Sequence, residues 1–110
     1  MKAKPQWISS QRWVFITKTG KRIVVIMKLR LFPNEERKEF PEGLKINWIT
    51  YNEEEPTERV LFDNHHGKTL HYHIDGEKPG TPFVWTSRKK VEELFWEKVQ
   101  VRFGKLEKTL

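Results

Sequence analysis

The longest uninterrupted apolar run in this sequence is Ile23-Val24-Val25-Ile26-Met27, and four of its five side chains are β-branched. A run of that length is strand-sized and far below the ~18 residues that a membrane-spanning helix needs. β-Branched side chains favour extended backbone. With no polar residue at alternate positions, the strand has to be central and covered on both faces. From Met27 onward the pattern changes. Leu29 and Leu31 alternate with Lys28 and Arg30, which puts the two cations on one face. The chain is therefore organised round a sheet, with residues 22–31 as one of its inner strands.

The flanking segments extend the same reading. Arg12 to Thr17 is rich in aromatic and β-branched residues and predicts a strand, joined to residues 22–31 by the turn Lys18-Thr19-Gly20-Lys21. Pro33, Asn34, Pro41 and Gly43 among acids mark residues 32–43 as a long exposed loop. Leu44 to Asn52 is a strand with Leu44, Ile46 and Trp48 on one side, and Glu53-Glu54-Glu55-Pro56 turns the chain. Arg59 to Asp63 is a short strand, Asn64-His65-His66-Gly67 a turn, and Thr69 to Ile74 the returning strand. In that strand Leu70, Tyr72 and Ile74 face the core, while Thr69, His71 and His73 face away. After turns at Asp75-Gly76 and Pro79-Gly80, a short strand is predicted over Thr81 to Trp85. A helix follows from Arg88 to Phe103, capped by Thr86 or Ser87 and stopped at Gly104. Val91, Leu94, Phe95 and Val99 form its apolar stripe. Residues 1–10 and 105–110 read as terminal segments with little to hold them. The expected architecture is α+β: one domain, 1–110, with an antiparallel sheet of about five to six strands and one long C-terminal helix packed on one face.

At 110 residues the chain supports one modest core, and seven Phe and five Trp supply much of its apolar surface. With no cysteine, disulfides and thiolate metal sites are excluded. The N-terminus lacks a signal-peptide pattern, no membrane partner is expected, and the cytoplasm is the expected location. Net charge is +6 and unevenly placed. Residues 1–31 hold eight Lys/Arg and no acid, whereas residues 32–58 hold three basic and eight acidic groups. A basic half of this kind, combined with aromatics, suits an anionic partner, nucleic acid above all, although solubility alone accounts for many lysine-rich surfaces.

All four histidines fall within the eleven residues from Asp63 to His73. Histidine is the side chain most readily poised for proton transfer near neutral pH, and it is also a common metal ligand. Three readings compete. His71 and His73, on one face of a strand with Cα atoms ~6.6 Å apart, form an acid–base pair, with Lys68 offering charge to a developing anion. Alternatively, both ligate a metal with one of Asp63, His65 or His66. In the third reading, Asp63, Asn64 and Gly67 shape a turn whose histidines are surface residues. RNA cleavage through the 2′-hydroxyl needs a base, an acid and a cation, so the first reading requires no cofactor. Other signals are weaker. Phosphate-loop and dinucleotide glycine patterns are absent, and no Ser or Cys sits in a nucleophile context. Arg88-Lys89-Lys90 opposes the dipole at a helix start. Trp7 and Trp13 could stack on bases, but Trp13 fits a core and Trp7 an end cap better.

The string Asp63-Asn64-x-x-Gly67-Lys68-x-x-His71-x-His73, followed by Pro82-Phe83 and a closing helix, resembles the TumE-like toxins of type II toxin–antitoxin pairs. The likeness covers roughly residues 59–100. It implies a toxin neutralised by a small DNA-binding antitoxin, with RNA cleavage that blocks translation as its activity. The combined expectation is a metal-independent endoribonuclease acting on single-stranded or ribosome-bound RNA. Its catalytic candidates are His71, His73, Lys68 and Asp63; its RNA-contact candidates are Arg59, Asn64, His66, Lys21, Arg22, Lys28 and Arg30. The alternatives are an RNA- or ribosome-binding module without catalysis, and a metal-dependent hydrolase using the His-x-His pair.

Overall fold

The computed structural model describes residues 6–31, 43–64 and 70–108. Its elements run β1 (Gln6–Ile16), β2 (Arg22–Leu31), β3 (Leu44–Asn52), β4 (Glu55–Asp63), β5 (His71–Ile74), β6 (Thr81–Pro82), α1 (Arg88–Phe103) and β7 (Glu107–Lys108). The strands form one antiparallel sheet in the order β6-β5-β4-β3-β2-β1-β7, and α1 packs on one face. The expected α+β class with a single C-terminal helix is therefore found. Ile23, Val24 and Val25 are all fully buried, as an inner strand with no polar alternate requires.

Strand alternation sorts the side chains. Val25, Met27, Leu29, Leu44, Ile46, Trp48, Val60 and Phe62 face the helix and meet Val91, Phe95 and Val99. Aromatic edges lock this layer: Phe95 stands T-shaped against Trp48 at 5.6 Å and Phe62 at 5.3 Å, and Tyr72 stacks on Phe62 at 5.0 Å. Helix limits match the sequence pattern. Ser87 Oγ accepts from Lys90 N–H, and Gly104, at φ 79°, donates its N–H to the Gln100 carbonyl.

Five elements differ from the sequence reading, β5 least: it begins at His71, with Leu70 outside the strand. β1 begins at Gln6 rather than Arg12, because Gln6 to Gln11 also pair with β2, over Leu31 to Met27, with a bulge between Trp7 and Ser9. β4 begins at Glu55 rather than Arg59, since the hairpin closes tightly at Asn52 and Glu55. β6 has two residues rather than five, and beyond it the Phe83 N–H reaches back to the Leu70 carbonyl. The tail is not unpaired: Glu107 and Lys108 pair with Ile16 and Phe15, giving β1 a short outer neighbour. The predicted loop at 32–42 lies outside the described residues.

Candidate active site on the open face of the sheet

The face away from α1 is where the candidate residues converge, and the strand register decides how. Lys28 pairs with Asn47, Asn47 with Asp63, and Asp63 with His71, so one straight row crosses four strands. The next row is Ile26, Ile49, Leu61 and His73. On the side of Leu61 away from Asp63, Tyr51 faces Arg59, and beyond Lys28 and Asn47, Arg30 faces Lys45. Both histidines are half-buried, with ring centroids 6.5 Å apart.

The β5–β6 turn holds His73 in place. Its Nδ1 lies 2.9 Å from the Glu77 carbonyl, which can only accept, so Nδ1 carries the hydrogen. Neutral His73 then presents Nε2 as a lone pair, the arrangement wanted in a general base and equally in a metal-ligating imidazole. Gly80 closes the other side. A Cβ at that position would lie 2.5 Å from His73 Cε1 and 2.8 Å from both ring nitrogens, so only glycine fits against the ring. The same turn carries Arg59. Asp75 accepts from the Arg59 backbone N–H at 2.9 Å, Asp75 N–H donates to the Arg59 carbonyl at 2.7 Å, and the guanidinium lies over Gly76.

Asp75 also accepts from Arg102 Nε at 3.0 Å through both carboxylate oxygens, and Arg102 reaches Glu58 at 3.4 Å. Burial works against the charged form of Asp75, but the hydrogen bonds from Arg102 and from the Arg59 backbone outweigh it and hold its carboxyl below the usual range. The Asn52 amide, aided by Lys21 and Arg102, does the same for Glu58. Arg102 is in turn pushed up, by its hydrogen bond to Asp75 first.

Several predicted site residues do not join this cluster. Asn64 is fully buried: its Nδ2 donates to the Leu44 carbonyl and its Oδ1 accepts from Ile46 N–H, each at 2.9 Å. It serves as an extra rung of the β3–β4 ladder and has no atom to offer RNA, which corrects its assignment as a contact. Lys21 and Arg22 lie at the far end of the sheet, roughly 20 Å along β2 from Lys28 at ~3.3 Å per residue. There they pair with Glu58 at 3.5 Å and Glu53 at 3.0 Å. The basic hairpin is thus two separate groups: Arg22 has the strand parity of Lys28 and Arg30 and faces the same side of the sheet, but at its far end, whereas Lys28 lies in the row of His71 and Arg30 next to it. Lys68, His66, His65 and Gly67 lie outside the described residues. Asp63 and His71 face each other in register without a direct hydrogen bond.

Lys45 and Asn47 were missed in the sequence. With Lys28 and Arg30 they line a pocket of about 180 Å³. The alternation in Leu44 to Trp48 already put them on the face with Lys28 and Arg30, but only β2–β3 register brings the four together. Trp13 packs against Trp96 at 6.0 Å on the helix side and is not a stacking platform on this face. The Arg88-Lys89-Lys90 start of α1 has no acid in its first turn; Arg88 pairs instead with Glu92 at 3.1 Å and Lys90 with Glu93 at 3.7 Å. Among the described residues, no three His, Asp or Glu side chains converge as a metal site would need. Among them, too, no helix is long and apolar enough to cross a membrane. No family model, curated protein or solved structure matches the chain.

Proposed function

We propose that this protein is an RNA-cleaving toxin whose open sheet face binds single-stranded RNA and cuts it by metal-independent acid–base catalysis. The observation that carries this reading is the shared face: both histidines, Asp63, Arg59 and a pocket of three cations stand on one side of the sheet, in register. His73 Nε2 takes the proton of a 2′-hydroxyl, the freed oxygen attacks the adjacent phosphorus, and the 5′-oxygen leaves with a proton from His71. The products are a 2′,3′-cyclic phosphate and a free 5′-hydroxyl. Asp63, paired in register with His71, is the carboxylate to which we assign the orienting of its imidazole. Arg59 and Lys68 supply positive charge to the phosphate. The toxin role, the DNA-binding antitoxin partner and the cytoplasmic setting rest on the likeness of residues 59–100 to TumE-like toxins.

The test is cleavage of a labelled mRNA by purified protein in EDTA, beside a folded His71→Ala/His73→Ala variant. Wild-type cleavage that falls by at least ~10²-fold in the variant supports the proposal. Cleavage that appears only on adding zinc or manganese reassigns the histidines to a metal. RNA binding without cleavage under any condition leaves a binding module.

A further inference from the structure

We propose that Lys28, Arg30, Lys45 and Asn47 form a second phosphate subsite, which holds a neighbouring phosphodiester of the same RNA strand and so makes the protein specific for an extended single strand. The inference rests on the nuclease reading above. The four side chains come from adjacent strands: Lys28 faces Asn47 and Arg30 faces Lys45. The pocket is polar and, at about 180 Å³, has room for a phosphate with its ester oxygens. Lysine and arginine with an amide are the groups that grip phosphate oxygens.

The row that links this pocket to His71 sets the spacing. Between them stands Asp63, whose charge keeps a phosphate from settling midway, so the favoured phosphate positions are the two ends. His71 is two strands from Asn47 and three from Lys28, or about 10–14 Å at ~4.8 Å per strand. A nucleic-acid strand advances 3.4 Å per nucleotide when stacked and about twice that when extended. Two to four nucleotides therefore span the gap on these estimates. Their bases have somewhere to lie: Ile26, Ile49, Leu61 and Tyr51 form a half-buried apolar band beside the row.

The experiment uses oligoribonucleotides with a single 2′-hydroxyl, all other sugars being 2′-deoxy, so that each has one cleavable bond. Cleavage in EDTA is followed from dinucleotide to hexanucleotide, with the extension on the 5′ side in one series and on the 3′ side in the other. The expected result is a gain in kcat/KM of roughly ten- to hundredfold on one side only, levelling off once the pocket is reached. Lys45→Ala and the milder Lys45→Gln should bring the long substrate down to the dinucleotide's rate, as should one neutral methylphosphonate at the bound position. Equal rates at all lengths, or a gain indifferent to Lys45, would overturn the subsite. If nothing is cut at any length, the nuclease reading fails, and affinity for the same oligonucleotides decides this one. One-sided length dependence that is lost in Lys45→Gln supports the subsite; length-independent affinity overturns it.

Discussion

His73 owes its orientation to atoms four and seven residues further along the chain, the Glu77 carbonyl and the open side of Gly80. Both lie in a turn that any sequence reading treats as a mere connection. Because the obstructed atoms belong to a side-chain ring, Gly80→Ala displaces His73 and leaves the backbone in place. It is expected to change stability by less than about 1 kcal/mol in urea melts while cutting RNA cleavage by about 10²-fold, the scale of an ångström-sized misplacement. Adding Gly80→Ala to His73→Ala should cost nothing further, which marks Gly80 as a positioning residue acting through the histidine. Full additivity of the two would show that Gly80 acts elsewhere.

The elements show where pattern reading succeeds and where it stops. α1 runs over Arg88–Phe103, and its spacing of Val91, Phe95 and Val99 was visible because a helical stripe needs no partner to be recognised. The strand faces were equally legible, since side-chain alternation is a property of one strand. Asn64 was misread, because a turn-former beside a histidine cluster looks like a loop residue. Its two hydrogen bonds to β3 depend on residues eighteen and twenty positions earlier. Asn64→Ala leaves a buried N–H and a buried carbonyl without partners and is expected to destabilise the fold by about 2–4 kcal/mol. Asn64→Asp should not rescue it, because a carboxylate cannot donate to the Leu44 carbonyl. Urea denaturation of the two variants checks both statements.

Across the whole molecule, one charge network ties together the end of α1, strand β4 and the β5–β6 turn: Arg102 to Asp75 and Glu58, with Lys21 on Glu58. Asp75 and Glu58 both have carboxyls held below their ordinary values. A carboxyl depressed in the folded state contributes stability above its unfolded pKa, about 3.9 for Asp and 4.3 for Glu, and loses it as pH falls through the folded value. Stability should therefore be level from neutral pH down to about pH 5 and decline below about pH 4. Arg102→Met should lower stability at pH 7 and flatten the acid decline, modestly, because Asp75 is solvent-accessible and screened. Thermal melts of both proteins from pH 3 to 7 test this; an unchanged acid slope in the variant would dissociate the network from acid stability.

Local chemistry settled much of this protein from the sequence: an α+β class, an inner strand at Ile23–Val25, the helix with its two caps, and the outward face of His71 and His73. Each of these follows from periodicity, propensity or capping within a few residues. Tertiary structure alone decided which outward residues meet. Register set Asp63 opposite His71 and Lys45 opposite Arg30, sent Lys21 and Arg22 to the far end with Glu58 and Glu53, and buried Asn64 against β3. The physical reason is that a strand's alternation assigns each side chain to a face, whereas its neighbours across the sheet depend on how separate hairpins align, and that alignment is stored in long-range pairing.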